Sequence, residues 1–188
     1  MTSFALHLMR HGAPEMAGRL LGHLDAPPLD EGMTLCIDRA RGLDFAQVIT
    51  SDLARARAPG ALIAAERDLR HSVDPRWREL NFGAWEGADP AVLPADDLAR
   101  FWDSPDDCPP PGGERWSELC ARVGTALSGL SEPALVLSHA GAMRAALVCL
   151  CGFGHRQGWA IDLPYGAVVS LRVRPGDEPL AQITGLAT

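Results

Sequence analysis

Two short apolar segments constrain the fold of this 188-residue chain most strongly, because each one ends abruptly in a histidine and a glycine. Residues 4–9 lead into Arg10-His11-Gly12, and residues 134–138 lead into His139-Ala140-Gly141. A nearly continuous apolar run of this length is typical of a strand that is buried on both faces of a parallel sheet. We therefore predict two buried strands whose carboxyl ends carry these histidines.

Strand and helix patterns alternate along the rest of the chain. Strands are predicted at residues 48–50, 69–73, 168–173 and 181–184, and helices at residues 30–43, 91–102, 116–130 and 143–150, with a further helix that carries Arg55 in its first turn and extends to Glu66. This alternation is typical of the α/β class with a largely parallel sheet, and the last two strands are most simply a hairpin at or near the sheet edge. The length suits one domain, which we assign to residues 1–188.

Local signals predict how two of these helices begin and continue. Asp30 is placed to cap the first helix, and Ser51 or Asp52 is placed to cap the second. Pro59-Gly60 lies inside the second helix, where a proline removes a backbone hydrogen bond. We therefore predict a kink or a new start at that point.

Charge and hydropathy exclude several kinds of partner. The chain has 17 Lys and Arg against 24 Asp and Glu, a net charge of −7, whereas binding to a nucleic-acid backbone needs a basic surface. The most apolar run, residues 145–153, is well short of the roughly 20 residues that span a bilayer. No basic residue precedes an apolar stretch at the N-terminus. We therefore expect a cytoplasmic protein whose partners include neither nucleic acid nor a membrane.

The five cysteines are an odd number, and none of them is paired at a spacing typical of metal sites. Three of them lie in helical apolar patterns, which favours packing in the core over thiol chemistry. We expect all five to be reduced and see no cluster of side chains that would bind a metal.

Four polar side chains follow three predicted strands, namely Arg10 with His11, then Arg55, then His139. The carboxyl ends of neighbouring parallel strands meet at one edge of a sheet, so these side chains can converge on one point. Guanidinium groups offer forked donors that match phosphate or carboxylate oxygens, and helix N-termini add backbone N–H groups. The sequence therefore predicts a pocket for a tetrahedral anion.

A neutral imidazole beside a bound phosphorus can act as a nucleophile and form a phosphohistidine. His11 is the better placed of the two histidines, because we expect Gly12 to let backbone and substrate approach closely. His139 would then stabilise charge on the transferring group. The departing alkoxide needs a proton, for which Glu79 is the first candidate and Glu86 the second.

At these positions the chain resembles the histidine phosphatase superfamily, also called the phosphoglycerate mutase-like family. The resemblance covers most of the chain and rests on several blocks in order. These blocks are Arg10-His11-Gly12, Gly22 and Asp25 with Pro28-Leu29 and Gly32, residues 51–56, Glu79 with residues 82–87, and residues 138–141.

The resemblance implies a fold, a mechanism and a site. The fold would be a three-layer sandwich whose mostly parallel central sheet is flanked by helices. His11 would be phosphorylated in a pocket formed with Arg10, Arg55 and His139, and Glu79 would serve as proton donor and then as base. The family needs no metal, which agrees with the lack of a ligand cluster in the sequence, so no cofactor is expected.

Within the superfamily, residues 78–87 followed by residues 110–114 look most like the small phosphatases of the alpha-ribazole phosphatase type, which serve cobalamin synthesis. Glycolytic mutases usually place Arg and Tyr just after the catalytic Glu, where this chain has Leu80 and Asn81. The resemblance therefore implies hydrolysis of a small phosphorylated metabolite, with alpha-ribazole phosphate as a candidate substrate.

Two other functions stay open, phosphoglycerate mutase-type phosphoryl transfer and non-catalytic binding of phosphate. After Arg-His-Gly the family often has Glu, then Ser or Thr, and soon an Asn, whereas this chain has Ala13, Pro14, Glu15 and Met16. The loss of a hydroxyl and an amide removes substrate contacts, so the leaving group is not specified. The oligomeric state is also open, a homodimer included.

Several further side chains have structural interpretations. We expect Glu86 to serve its loop and His23 and His155 to lie at the surface. The five tryptophans, Trp77, Trp85, Trp102, Trp116 and Trp159, are more often packing anchors than a substrate cage.

Overall fold

The computed structural model describes residues 2–176 and 179–188. Its strands are β1 (Phe4–Arg10), β2 (Gln47–Thr50), β3 (Arg70–Val73), β4 (Ala134–Ser138), β5 (Val168–Arg174) and β6 (Leu180–Ala187). Its helices are α1 (Asp30–Ala40), α2 (Ala54–Glu66), α3 (Ala95–Asp103), α4 (Trp116–Ser128), α5 (Ala140–Cys151) and α6 (His155–Trp159). Single 3₁₀ turns lie at Pro75–Trp77, Gly83–Trp85 and Pro90–Val92.

The six strands form one sheet in the order β3-β2-β4-β1-β5-β6. The first four strands of this order run parallel, and β5 pairs antiparallel with both β1 and β6. The predicted α/β class and the predicted hairpin at the sheet edge are confirmed. Because β1 and β4 are neighbours, with Arg10 opposite Ser138, the two histidines that follow these strands are delivered to the same edge.

Strand β4 shows how the sheet becomes the middle of three layers. Its residues are fully buried, and successive side chains of a strand point to opposite faces. Ala134 and Val136 belong to a core cluster that includes buried residues of α4 and α5. Leu135 and Leu137 belong to a second cluster that includes buried residues of α1 and α2. This arrangement confirms the three-layer sandwich that the resemblance implied.

The helix starts differ from the predicted caps. Asp30 is the first residue of α1 rather than its cap. At the start of α2, the hydroxyl of Ser51 accepts from the N–H of Leu53 at 3.3 Å, and the carboxylate of Asp25 accepts from that of Ala54 at 2.6 Å. The carboxylate of Asp52 instead accepts hydrogen bonds from the guanidinium of Arg78, at 2.8 Å from Nε to Oδ1. Tertiary pairing therefore overrides the local capping signal.

The predicted new start at Pro59-Gly60 is wrong, since α2 is continuous from Ala54 to Glu66, while a kink at this point stays a prediction. Pro59 and Gly60 are both buried, so this part of the helix packs against the sheet. A Cβ atom at Gly60 would lie 2.2 Å from Cγ2 of Thr50 in β2. The missing side chain lets α2 approach the sheet closely, and tertiary packing retains the helix despite the proline.

All five cysteines are free thiols, as predicted. Burial raises the pKa of Cys36 to about 11, and burial is also the main cause that raises the pKa of Cys120 to about 12. Such thiols carry little thiolate at neutral pH, which agrees with packing rather than reactivity. Among residues 2–176 and 179–188, no helix is long and apolar enough to cross a membrane.

Candidate active site

The structure brings His11 and His139 together where β1 and β4 end. The backbone N–H of His11 donates to the carbonyl of Ser138 at 2.9 Å, which joins the two strand ends. The two imidazole ring centroids are 5.1 Å apart, with an interplanar angle of 61°. Both side chains are buried, and His11 is only 5% exposed. The predicted convergence of the two histidines is therefore a feature of the fold.

The tautomer of His11 follows from one hydrogen bond. Its Nδ1 lies 2.7 Å from the carbonyl oxygen of Gly12. A carbonyl can only accept, so Nδ1 carries the proton and Nε2 carries the lone pair. Nε2 of the neutral ring is thus the nitrogen available as a nucleophile.

Both imidazoles are held in the uncharged form. Burial lowers the pKa of His11 well below its ordinary value, and the positive charges of Arg55 and Arg10 lower it further. Burial also lowers the pKa of His139 well below its usual range, with added repulsion from Arg55, His11 and Arg10. A neutral imidazole is the form that a nucleophilic role requires.

Gly12 has a packing role that the sequence did not indicate. A Cβ atom at this position would lie 2.0 Å from the carbonyl oxygen of Gly32 in α1, and it would also meet the Cα of Gly32. The absence of a side chain therefore lets α1 pack against the end of β1. The expectation that Gly12 also lets substrate approach closely stays a prediction.

Arg10 is held by two contacts that the sequence did not indicate. Its Nη1 donates to the carbonyl of Leu163 at 2.6 Å, and its guanidinium carbon lies 4.1 Å from the ring centroid of Tyr165. The ring of Tyr165, the single tyrosine of the chain, is also 5.5 Å from that of His11. Stacking on an aromatic face orients a guanidinium. Tyr165 therefore belongs to the site through its contacts with Arg10 and His11.

Arg55 is fully buried, and most of its donors bind the protein itself. Nη1 donates to the carbonyl of Leu24 at 2.8 Å, and Nη2 donates to those of Leu21 and Gly22 at 2.8 and 2.7 Å. The sequence predicted a forked ligand for an anion. In the structure Arg55 supports the loop at residues 21–24, and only its Nε is without a partner.

Four buried side-chain nitrogens in the described part of the chain have no hydrogen-bond partner. They are Nε of Arg10, Nε of Arg55 and both ring nitrogens of His139. A buried polar group without a partner carries a free-energy penalty of about 1–3 kcal/mol. All four atoms belong to the residues that the sequence assigned to an anion pocket. A ligand rich in acceptor oxygens, such as a phosphate group, would satisfy the arginine donors.

The carboxylate of Glu79 is fixed by the backbone beside this pocket. Oε1 accepts from the N–H of Leu80 at 2.8 Å, and Oε2 accepts from the N–H of Gly141 at 3.0 Å. Gly141 follows His139 by two residues, so it connects Glu79 to the histidine pair. The structure thus places the first candidate acid next to the predicted pocket.

The peptide carbonyl of Glu79 is held as firmly as its side chain. His23 donates from Nε2 to this oxygen at 3.1 Å, and Arg122 donates from Nη2 at 2.8 Å. Arg122 also pairs with Glu114, with 2.7 Å between Nε and Oε1. His23 is half-buried rather than a surface residue, and the role of Arg122 was missed. In the sequence, only Glu114, which follows Gly112-Gly113, indicated that the backbone of Glu79 is held in this way.

Glu86, the second candidate acid, is committed to the backbone. Oε1 accepts from the N–H groups of His23 and Phe82, and Oε2 accepts from those of Gly22 and Leu24, all within 3.1 Å. Its structural role is therefore as predicted, and it is not placed to donate a proton. Arg55 and Glu86 bind the carbonyls and the amides of the same loop.

A profile of the histidine phosphatase superfamily (branch 1) matches residues 6–184. The chain belongs to the histidine phosphatase superfamily. The probable phosphoglycerate mutase GpmB of Yersinia pestis (strain Pestoides F) is 31% identical over an alignment of 160 positions, which covers 78% of this chain and 74% of that protein. The family resemblance seen in the sequence is thereby confirmed.

Solved structures of similar proteins share the fold of this chain. TTHB049 of Thermus thermophilus is 30% identical, with a TM-score of 0.76 over 98% of this chain and 99% of that chain. The alpha-ribazole phosphatase of Shigella flexneri is 22% identical, with a TM-score of 0.82 over 98% and 96% of the two chains. A mycobacterial glucosyl-3-phosphoglycerate phosphatase is 21% identical, with a TM-score of 0.83 over 97% and 98%. At 22% and 21% identity, the last two likenesses show the fold alone.

The segment in which this chain departs from the family pattern is tied to a neighbouring loop. The N–H of Leu29 donates to the carbonyl of Ala13 at 3.1 Å, and the N–H of Glu15 donates to that of Pro27 at 2.9 Å. Met16 follows with a φ of 60°, in the left-handed region. Residues 13–16 thus have a defined conformation, while their influence on substrate choice stays a prediction.

The residues that the structure describes contain no group of three His, Cys, Asp or Glu side chains that could hold a metal ion.

Proposed function

We propose that this member of the histidine phosphatase superfamily is a phosphomonoesterase, which hydrolyses a small phosphorylated metabolite through a phosphohistidine at His11. The observation that carries the proposal is the 2.7 Å hydrogen bond from Nδ1 of His11 to Gly12, because it leaves the Nε2 lone pair free. The unpartnered nitrogens of Arg10, Arg55 and His139 support the proposal, since they would surround the phosphate that this lone pair attacks.

In the first step, Nε2 of His11 attacks phosphorus while the bond from phosphorus to the ester oxygen breaks. The electron pair of that bond goes to the leaving oxygen, and Glu79 in its acid form gives this oxygen a proton. Donors from the two arginines stabilise the negative charge on the transferring group. The products of this step are a free alcohol, phosphorylated His11 and the carboxylate of Glu79.

In the second step, the Glu79 carboxylate takes a proton from water as the water oxygen attacks phosphorus. The bond from phosphorus to Nε2 breaks, and its electron pair returns to the imidazole. Inorganic phosphate leaves, and both His11 and Glu79 are restored. Neither step uses a metal or a cofactor.

Alpha-ribazole phosphate, an intermediate of cobalamin synthesis, is the specific substrate that we propose to test first. Support comes from the sequence of residues 78–87 and from the shared fold of the Shigella flexneri enzyme, whose name states that activity. We further propose that the enzyme acts in the cytoplasm on a free metabolite, with neither nucleic acid nor a membrane as partner.

Phosphoglycerate mutase activity is the second candidate, favoured by the 31% identity to GpmB of Yersinia pestis. The two activities differ in their products. A mutase returns isomerised phosphoglycerate with little inorganic phosphate, whereas a phosphatase releases phosphate stoichiometrically with the alcohol.

A panel of phosphate esters tests the proposal, with alpha-ribazole phosphate, phosphoglycerates, sugar phosphates and nucleotides as substrates. We expect release of inorganic phosphate from at least one ester, and a loss of roughly 1,000-fold or more in kcat for His11→Asn. His71→Asn is the matched control, since His71 lies in β3 away from the site. A His11→Asn variant as active as the wild type would exclude the proposal.

A further inference from the structure

A cavity of about 230 Å³ adjoins Glu79. Glu79, Gly141 and Arg144 form its polar wall, and most of the remaining wall is aromatic, with Trp102, Trp116 and Trp159 among its residues. We call this space the tryptophan cavity. None of the three tryptophans was expected from the sequence to line a site.

The position of Glu79 connects the tryptophan cavity to the reaction. A general acid must lie within hydrogen-bond distance of the oxygen that receives its proton. The leaving oxygen would therefore lie at the Glu79 carboxylate, which Leu80 and Gly141 fix from the backbone. The rest of the alcohol has to continue from that oxygen, and the tryptophan cavity is the space that Glu79 borders.

The aromatic wall is built by three helices that meet at Trp159 of α6. The ring centroid of Trp116 in α4 is 4.7 Å from that of Trp159, and that of Trp102 in α3 is 5.8 Å away, both with edge-on geometry. Trp102 remains 39% exposed, so this side of the cavity opens towards solvent. Edge-on rings of this kind leave flat faces on which a further ring can stack.

Contacts between α3 and α6 fix this wall. Nε2 of His155 donates to the carbonyl of Trp102 at 3.2 Å, and Arg156 pairs with Asp103. Both pairs join the first residues of α6 to the end of α3. The wall is therefore preorganised rather than assembled by the ligand.

The charges around the tryptophan cavity disfavour an anionic leaving group. Arg144 is its one basic lining residue, and this side chain already donates from Nε and Nη2 to the carbonyls of Gly158 and Ile161, at 3.2 and 3.1 Å. The guanidinium of Arg144 also lies 5.3 Å from the ring of Trp159. A carboxylate or second phosphate in this space would lose its hydration, and two nitrogens of the neighbouring guanidinium of Arg144 are already bound to carbonyls.

Size and chemistry together select the occupant. An apolar cavity of about 150 Å³ can hold a benzene molecule, so the tryptophan cavity has room for a group of one or two rings. Resting on the proposed function, we propose that this cavity binds an aromatic ring on the leaving alcohol. The substrate class is then phosphate monoesters of uncharged, aryl-bearing alcohols. Trp102 and Trp159 provide the stacking surface, and Arg144 provides a cation beside it.

Direct binding tests this inference without turnover. Benzylphosphonate and ethylphosphonate are titrated calorimetrically into the wild type, Trp102→Ala and Trp102→Phe, with Val92→Ala as an exposed control outside the cavity. We expect the wild type to bind benzylphosphonate at least about 10-fold more tightly than ethylphosphonate. Trp102→Ala should reduce this advantage roughly 3- to 10-fold, and Trp102→Phe should retain most of it.

Turnover of benzyl phosphate and ethyl phosphate separates this inference from the proposed function. The assignment of the cavity would be overturned if both esters released phosphate with equal kcat/KM. It would also be overturned if the two phosphonates bound equally or not at all. Neither result would exclude hydrolysis. Preferential binding of benzylphosphonate without phosphate release from any ester would overturn the proposed function and support the cavity.

Discussion

Oε1 of Glu79 lies only 2.0 Å from the position that a Cβ atom at Gly141 would occupy. A side chain at residue 141 would therefore displace the carboxylate from its place beside the histidine pair. The displaced atoms are the far end of a flexible side chain, so the fold can absorb the change. Gly141 is thus a positioning residue for the candidate acid.

We predict that Gly141→Ala lowers kcat roughly 10- to 100-fold, because an error of about 1 Å in a catalytic group has that order of effect. The melting temperature should change little. Gly42→Ala is the control, since a Cβ atom there meets nothing within 4 Å. Unchanged kcat in Gly141→Ala would show that the position of Glu79 does not limit the rate.

Arg55 should contribute more to stability than Arg10. Truncation of Arg55 leaves the carbonyls of Leu21, Gly22 and Leu24 without their donor, whereas truncation of Arg10 frees only that of Leu163. We predict that Arg55→Ala lowers the free energy of unfolding by about 3 kcal/mol or more, and Arg10→Ala by about 1 kcal/mol.

Urea unfolding of the two variants beside the wild type measures this difference. Both variants should also lose phosphatase activity. Equal losses of stability would mean that Arg55 is not the main support of the loop at residues 21–24.

The buried histidines should make the fold sensitive to mild acid. The pKa values of His11 and His139 are lowered in the folded protein, so the unfolded chain binds more protons below its ordinary histidine pKa of about 6.5. The free energy of unfolding should therefore fall as the pH drops below about 6.5, by up to roughly 1.4 kcal/mol per pH unit for each uncharged histidine. Stability contributed by these groups is fully present above that pH.

Urea titrations at several pH values from 7.5 to 5 measure this slope. His7, His23 and His71 also have lowered pKa values, so His139→Asn should reduce the slope without abolishing it. The pKa values of Asp52 and Asp74 are lowered from 3.8, so protonation of these carboxylates reduces the free energy of unfolding only near and below pH 4. A free energy of unfolding that is constant over this range would contradict the burial argument.

Much of the fold and the core of the site followed from local sequence. Continuous apolar runs identified β1 and β4, and the register of parallel neighbours then required His11 and His139 to meet. The family blocks added Glu79, whose position depends on a loop without periodicity. These features depend on patterns within a few residues of one another.

The unpredicted features depend on contacts between residues far apart in the sequence. Nothing near Tyr165 indicates that it stacks on Arg10, and nothing near Arg122 indicates that it holds the backbone of Glu79. Helix α6 is five residues long, too short for a periodic pattern, and its side chains matter because they meet α3. Arg55 was correctly located, but its carbonyl partners became visible only once the loop at residues 21–24 was placed.

The covalent intermediate is the central claim, and alkaline quench followed by peptide mapping with mass spectrometry tests it most directly. With 4-nitrophenyl phosphate, whose leaving group needs no acid, we predict one phosphate on His11 during turnover. It should accumulate in Glu79→Gln, which cannot activate water, and be absent from His11→Asn. Turnover of the wild type with no phosphate on His11, or with phosphate on another residue, would contradict the account.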